Sequence, residues 1–433
     1  MALFIIEIII MILAIILGLR IAGALGCGIL AIVMQLVMIF GFGLAPGDLP
    51  VTAVLIILSI GIAGGTLQAT GGIDYLVHLA SKIIERFPKS IIFISPMIVF
   101  LFVFGIGTSN IALSLEPIIA KTALKANISP KKPLIASVLT ANLALLCSPA
   151  ASATAYIISV LANHEITMGQ YLSVALPTAL ISMLALSTFC TLVGRNHFDR
   201  DRMTQVVEAE VAQIEDTYFS PRVKLGVAAF LFGVGCILMF GMFPDLLPTF
   251  NVDGETVSLE MTEIVQLFMY LSTAINLLLM KIEPSDILST RITQSAIGAL
   301  FAVLGTGWLG ATIFNAPENM KIMKEDIGGL IAEVPWLVII LVAIVTMIVI
   351  SQTASASIMV PIVMSLGVPP MNFVAMVQTL NYNFVIPAQP TLLFAVSLDE
   401  TRQTRATSFI VPGTVTITVS VLVGFSIKWL LGY

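Results

Sequence analysis

Residues 88–152 hold two polar interruptions of an apolar pattern. Pro88 opens an apolar run that stops at Gly105-Ile106-Gly107-Thr108-Ser109-Asn110. A second apolar stretch carries Glu116-Pro117-Ile118-Ile119, and a third begins at Pro133 and breaks at Cys147-Ser148-Pro149-Ala150-Ala151-Ser152. The same device returns in the second half. Pro335 opens a run that stops at Ser351-Gln352-Thr353-Ala354-Ser355-Ala356-Ser357; Val360-Pro361-Ile362-Val363 follows; the stretch from Pro370 breaks at Ile386-Pro387-Ala388-Gln389-Pro390-Thr391. The landmarks keep step: Pro88 to Thr108 spans 20 positions and Pro335 to Thr353 spans 18, while Pro117 to Pro149 spans 32 and Pro361 to Pro390 spans 29. Any polytopic protein scatters prolines, but scattered prolines do not fall in one order at near-equal spacing. Polar, proline-interrupted breaks at matching places in two halves point to a secondary transporter's binding site.

Working outward from these breaks, the class follows from composition. Hydrophobic residues make up 58% of the chain and charged residues 10%, against roughly 25% charged in a soluble domain. Apolar runs of the length a helix needs to cross a bilayer recur throughout. They are continuous rather than alternating, which excludes a β-barrel. The expectation is an all-α polytopic membrane protein with about ten transmembrane helices, two re-entrant hairpins and broken helices. The first run, Leu3 to Leu19, has no basic residues before it and no Ala-x-Ala-like cleavage site, so it reads as a retained helix and not a signal peptide. Cys27, Cys147, Cys190 and Cys236 lie in apolar runs without metal spacing and read as free core thiols.

Crossings are expected near 3–19, 21–44, 51–70, 133–163, 170–194, 222–243, 262–281, 291–316, 370–398 and 407–431, with hairpins at 89–126 and 335–366. Cytoplasmic loops carry an excess of Lys and Arg. With the N-terminus outside, the inner segments collect 17 of the 20 basic residues, and only Lys321, Lys324 and Lys428 fall outside. Both termini are therefore expected on the periplasmic side of a bacterial inner membrane. The loop 244–262 has Asp245, Asp253, Glu255 and Glu260 but no Lys or Arg, which fits the outer side.

Two inverted repeats are expected, 1–194 and 222–433, joined by a cytoplasmic linker at 195–221. Each reads as three helices, an amphipathic segment, a hairpin, a broken helix and a final helix. The amphipathic segments are Ile73 to Phe87 and Pro317 to Val334. In the first, Ile73, Leu76, Val77, Leu79, Ala80, Ile83 and Ile84 form an apolar stripe opposite Lys82, Glu85 and Arg86, as suits a helix lying in the interface. Five full crossings in the first repeat, an odd number, make the second enter from the opposite face.

Irregular backbone survives at membrane depth only when buried in protein or lining a wet cavity. Each break, at Gly107–Asn110, Ser148–Ser152, Ser351–Ser357 and Asn383–Thr391, is followed by an apolar helical stretch and so aims a helix N-terminus at itself. A helix N-terminus behaves as about half a positive charge with free N–H groups, so four offset roughly two negative charges. The candidate substrate-binding residues are Thr108, Ser109, Asn110, Ser148, Pro149, Gln352, Thr353, Ser355, Gln389 and Thr391. This set suits a small anion with two carboxylates, and every Lys or Arg within the crossings lies within a few residues of an end, away from mid-membrane. An isolated Ser such as Ser182 or Ser420 reads as helix–helix glue. Glu116, six positions beyond Asn110, is either a proton or cation coupling group or the partner of a basic neighbour near the cytoplasmic end.

No Gly-x-x-x-x-Gly-Lys-Ser/Thr loop appears, so nothing points to ATP hydrolysis. His78, His164 and His197 fall in polar loops or interfacial segments, and His164-Glu165 lacks the second His of a zinc protease motif. No catalytic residue, metal ligand, cofactor or nucleic-acid partner is expected; the partners are a small dicarboxylate and the lipid bilayer. An intramembrane enzyme and a passive channel are the weaker alternatives, and inverted broken repeats are not a channel's usual build.

Gly71-Gly72-Ile73-Asp74-Tyr75-Leu76-Val77-His78, Gly107-Thr108-Ser109-Asn110, Ser148-Pro149, Ser351-Gln352 and Val385-Ile386-Pro387-Ala388-Gln389-Pro390-Thr391 resemble the anaerobic four-carbon dicarboxylate transporters of the Dcu A/B type, over almost the entire chain. The resemblance implies an inner-membrane carrier exchanging fumarate, malate or aspartate for succinate in fumarate respiration. It implies kinship with the wider ion-transporter superfamily, whose hairpin tips bind substrate and whose members are commonly homodimers with scaffold and transport domains and elevator-like motion. Carried over, the substrate residues are Thr108, Ser109, Asn110, Ser148, Gln352, Gln389 and Thr391. The chain departs from the family at Ser109, where Gly is commoner, at Pro387-Ala388-Gln389-Pro390, where Pro-Thr-Tyr-Pro is usual, and at Glu116, which replaces an apolar residue. These departures fall at the expected site and bear on the preferred substrate. The alternative is proton- or sodium-coupled uptake of another small organic anion or acidic amino acid.

Overall fold

The computed structural model describes residues 2–193, 218–252, 255–323, 329, 331, 334, 336–349, 351–386, 389–399 and 401–433. The linker expected at 195–221 lies outside them except for 218–221, as do Pro335, Pro387, Ala388 and much of the second amphipathic segment.

The chain begins with α1, Ala2–Leu36, which is two arms rather than one rod. Ala22 and Gly23 leave helical geometry, and Gly23 takes a positive φ of 58° that favours glycine. A β-carbon on Gly18 would lie 2.5 Å from the Gly26 carbonyl oxygen. In a straight helix those residues would stand about 12 Å apart, so the chain doubles back and the arms touch at glycines. The arms cover the expected crossings 3–19 and 21–44, and a π-turn at Val37–Gly41 ends the second.

The following helices are α2 (Val51–Ala69), α3 (Gly72–Arg86), α4 (Ile91–Ile106), α5 (Asn110–Lys125), α6 (Lys131–Leu145), α7 (Ser152–Ala162) and α8 (Met168–Leu192). Then come α9 (Pro221–Met242), α10 (Met261–Leu279), α11 (Pro284–Leu288), α12 (Arg291–Phe314), α13 (Pro317–Ile322), α14 (Leu337–Val349) and α15 (Gln352–Ser365). Last are α16 (Pro370–Ala375), a 3-10 stretch at Val377–Phe384, α17 (Pro390–Leu398) and α18 (Ile410–Leu430). Among the described residues, eight helical segments are long and apolar enough to cross a bilayer. The expected crossings 133–163 and 370–398 are both interrupted, as α6/α7 and α16/α17. The chain is thus an all-α polytopic membrane protein. Its only sheet among the described residues is a short antiparallel hairpin, β1 (Thr249–Val252) and β2 (Glu255–Ser258), in the acidic loop 244–262.

Small residues set how the helices approach, as expected where lipid supplies no hydrophobic drive between them. The second arm of α1 runs parallel to α12: β-carbons on Gly28 and Gly305 would lie 1.9 Å from the Phe301 oxygen and 2.0 Å from the Gly28 oxygen. Gln35 donates to Thr312 Oγ1 at 3.0 Å farther along. α2 crosses α12 antiparallel, with Gly61 on Ala296 and Gly65 on Thr293, while α9 lies on α10, and α10 on α2. A second group packs α4 on α6, α6 on α8 and α8 on α18. There Ser420 donates to Ser182 at 2.8 Å, so these two serines are each other's glue. The groups meet along a seam where α7 lies on α2 and α15 on α12. On α3, Ile73, Leu76, Ala80 and Ile84 are buried, whereas Leu79 and Ile83 stay exposed. The expected stripe is therefore wider than the face the protein covers.

Candidate functional site

The breaks form because local residues stop each helix. Gly107 closes α4 with φ 78°, its N–H donating to Val103 O at 2.8 Å. A β-carbon there would lie 1.8 Å from the Ala150 carbonyl oxygen, so the hairpin tip rests on the α6/α7 break. Thr108 Oγ1 then accepts from the Asn110 N–H at 3.3 Å as α5 starts. At the start of α15, Ser351 Oγ accepts from the Ala354 N–H at 3.3 Å. Gln389 precedes Pro390, a residue suited to a first helical position.

The four helices that follow the breaks begin at Asn110, Ser152, Gln352 and Pro390, and all four first residues line one cavity of about 660 Å³. Two of the opposing C-terminal ends, those of α4 and α6, are covered. Ser148 Oγ donates to Phe104 O at the end of α4, at 2.6 Å. At the end of α6, Gln352 Nε2 donates to Asn142 O (3.1 Å), Gln378 Nε2 to Leu143 O (3.3 Å), Thr154 Oγ1 to Leu145 O (2.9 Å) and the Tyr171 hydroxyl to Leu146 O. Those hydrogen bonds satisfy carbonyls that would otherwise oppose the positive helix ends on the cavity.

A buried amide chain joins the halves beneath the cavity. Asn142 and Gln389 exchange reciprocal amide bonds at 3.0 and 2.7 Å. Gln352 Nε2 also donates to Asn381 Oδ1, and Asn381 Nδ2 donates to Gln378 Oε1 at 2.6 Å. Buried polar networks of this kind rigidify a site when each member is satisfied.

Of the candidate residues, Thr108, Ser109, Asn110, Gln352, Thr353 and Gln389 line the cavity. Ser148 does not; it is buried and spent on the Phe104 carbonyl. Pro149 lines a different cavity of about 470 Å³. Ser355 and Thr391 are buried behind the lining, and their hydroxyls have no hydrogen-bond partner among the described residues. Glu116 is fully buried on α5, and neither carboxylate oxygen has a hydrogen-bond partner among the described residues, so the pairing with a basic neighbour, one of its two readings, is not formed there.

Sequence reasoning missed Asn142, Gln378 and Asn381, although an amide inside an apolar crossing is itself a signal. It also missed Arg291, which was assigned to an inner loop; as the first residue of α12 it is exposed and lines the cavity mouth beside Gln294 and Ser295. Asn110 Nδ2 donates to Ser295 Oγ at 3.0 Å across that mouth. Arg291 therefore puts a full positive charge at the rim of a cavity whose other described lining residues carry none.

A third cavity, of about 450 Å³, lies at the other end of the same helices, lined by Pro50, Tyr156, Asn163, Gly307, Asn315 and Pro361 among others. Arg291 and Asn315 bracket α12, about 35 Å apart. Between the cavities Thr306 and Ser357 share a hydrogen bond, and the Tyr156 hydroxyl donates to Ser357 O at 3.3 Å.

The family model described as anaerobic c4-dicarboxylate membrane transporter matches residues 3–432. Among curated relatives, the C4-dicarboxylate transporter DcuA of Wolinella succinogenes is 31% identical over 97% of this chain and 98% of its own length. DcuA of Escherichia coli K12 is 28% identical over 97% and 98%, and the anaerobic C4-dicarboxylate transporter DcuB of Escherichia coli O6:H1 is 28% identical over the full length of both chains.

Proposed function

Because the chain belongs to the anaerobic C4-dicarboxylate membrane transporter family, we propose that it exchanges four-carbon dicarboxylates (fumarate, malate or aspartate against succinate) by alternating access around the 660 Å³ cavity. One observation carries the reading: four helix N-termini meet on that cavity while the carbonyl ends of α4 and α6 are capped. Four half-charges match a dianion, roughly two against two. The substrate contacts are Thr108, Ser109, Asn110, Gln352, Thr353 and Gln389, with Ser152 added. Held by dipoles and neutral groups, the guest is bound without the roughly 2.5–3.5 kcal/mol that a cation at mid-membrane costs, and it leaves readily.

Two cavities at opposite ends of α2, α7, α12 and α15, parted by Thr306, Ser357 and Tyr156, support alternating access. The reading includes two inverted repeats, 1–194 and 222–433. Its support is the matching element order and paired contacts: α5 meets α17 as α15 meets α7. It also includes a homodimer in the bacterial inner membrane, with both termini periplasmic.

The test is uptake of labelled succinate into proteoliposomes, with and without internal fumarate, under set ion gradients. Counterflow without any gradient supports exchange; strict sodium or proton dependence supports coupled uptake. Glu116 favours keeping that second reading, since an unpartnered carboxyl inside a membrane helix is a ready carrier of a proton or cation. Glu116→Gln should then abolish ion or pH dependence; dependence equal to wild type removes Glu116 from the coupling.

A further inference from the structure

The two cavities differ in charge. At the rim of the larger one, Arg291 is the only Lys or Arg among the described lining residues, and no Asp or Glu accompanies it there. Its guanidinium makes no hydrogen bond or ion pair among the described residues. The smaller cavity is lined by Asp48 and His164 with no Lys or Arg among the described lining residues, and the cavity next to it, with which it shares Thr52, Ser159 and Asn163, is lined by Glu260. Among the described residues, one mouth carries a cation and the other does not.

Building on the dicarboxylate reading of the site, we propose that Arg291 is the capture residue for the dianion, acting only from the face to which the larger cavity opens. At that rim the guanidinium keeps its water, so it avoids the desolvation that a charge on the floor would suffer. A lone cation in a cleft focuses the field and concentrates anions, an effect that weakens as salt rises. Ser295, on the same turn of α12 and bonded to Asn110, places the capture point beside the start of α5. The ligand passes from Arg291 to the neutral floor at Gln352 and Gln389. When the site is reached through the other cavity, Arg291 is at the far end of α12 and contributes nothing.

The experiment measures KM for labelled succinate in counterflow, in right-side-out and inverted membrane vesicles, at low and high ionic strength. Arg291→Gln should raise KM about tenfold in one orientation, flatten its salt dependence there, and leave the other orientation at the wild-type value. Arg291→Lys should stay near wild type. Moving the charge by one turn, as Arg291→Gln with Gln294→Arg, should restore KM. An equal rise on both faces, no rise on either, or a double variant as defective as Arg291→Gln would overturn the proposal, the last by assigning Arg291 a structural role. Wild-type vesicles that exchange no dicarboxylate at all would sink the underlying reading of the site and this inference with it.

Discussion

Asn110 and Gln389 were legible as site residues because each sits beside a helix break, and breaks are written in local residues. Asn142 was not, because its importance comes from a partner 247 positions away. Asn110→Ala and Gln389→Ala remove hydrogen bonds to a charged guest, worth about 1.5–3 kcal/mol each. That corresponds to roughly a 10- to 100-fold weaker apparent affinity. Both variants should insert normally, checked by their yield in membranes and their elution as a single species. Asn142→Ala removes no contact to the guest but breaks the same reciprocal pair that Gln389→Ala breaks. Each leaves a buried amide unpaired, a penalty of about 1–3 kcal/mol, so both should lower the melting temperature as well as transport. A thermal shift equal to wild type in Asn142→Ala would mean that the amide chain does not brace the site. Ser148 shows the limit of reading residue type alone. A hydroxyl in a break suggests a ligand group, yet here it serves the Phe104 carbonyl.

At the scale of the element, the two broken helices and both arms of the 89–126 hairpin were readable because proline, glycine and polar clusters interrupt long apolar runs. What covers the carbonyl ends was not readable: Thr154, Tyr171, Gln352 and Gln378 reach the end of α6 from four different segments. The tight point is Gly107. Its left-handed φ disfavours any side chain by about 1–2 kcal/mol, and a β-carbon would collide with the Ala150 backbone. Gly107→Ala should therefore separate the hairpin tip from the α6/α7 break and abolish counterflow while the protein still reaches the membrane. A control on the same hairpin, Ala112→Ser, tests whether any change there is harmful. Retained transport in Gly107→Ala would show that the two breaks need not touch.

For the whole molecule, charge placement and apolar runs were enough to anticipate an α-helical membrane protein with paired interruptions, because those features depend on the solvent and not on the packing. The relative position of the helix groups was beyond that reasoning, and so Arg291, an inner-loop residue in one dimension, turns out to rim the cavity in three. The seam between the groups makes its own prediction. Thr306→Cys with Ser357→Cys, in a background lacking Cys27, Cys147, Cys190 and Cys236, should cross-link under mild oxidation, stop exchange, and recover with reductant. Exchange that continues with the bond closed would mean that this seam does not move. The central claim is that four helix N-termini hold a dianion on an uncharged floor, and a structure of the protein with succinate bound tests it most directly. The account predicts density for both carboxylates in the larger cavity, within hydrogen-bonding reach of the starts of α5, α7, α15 and α17 and of the Gln389 side chain. Succinate seated elsewhere, gripped by lysine or arginine side chains with those helix ends left facing water, would contradict it.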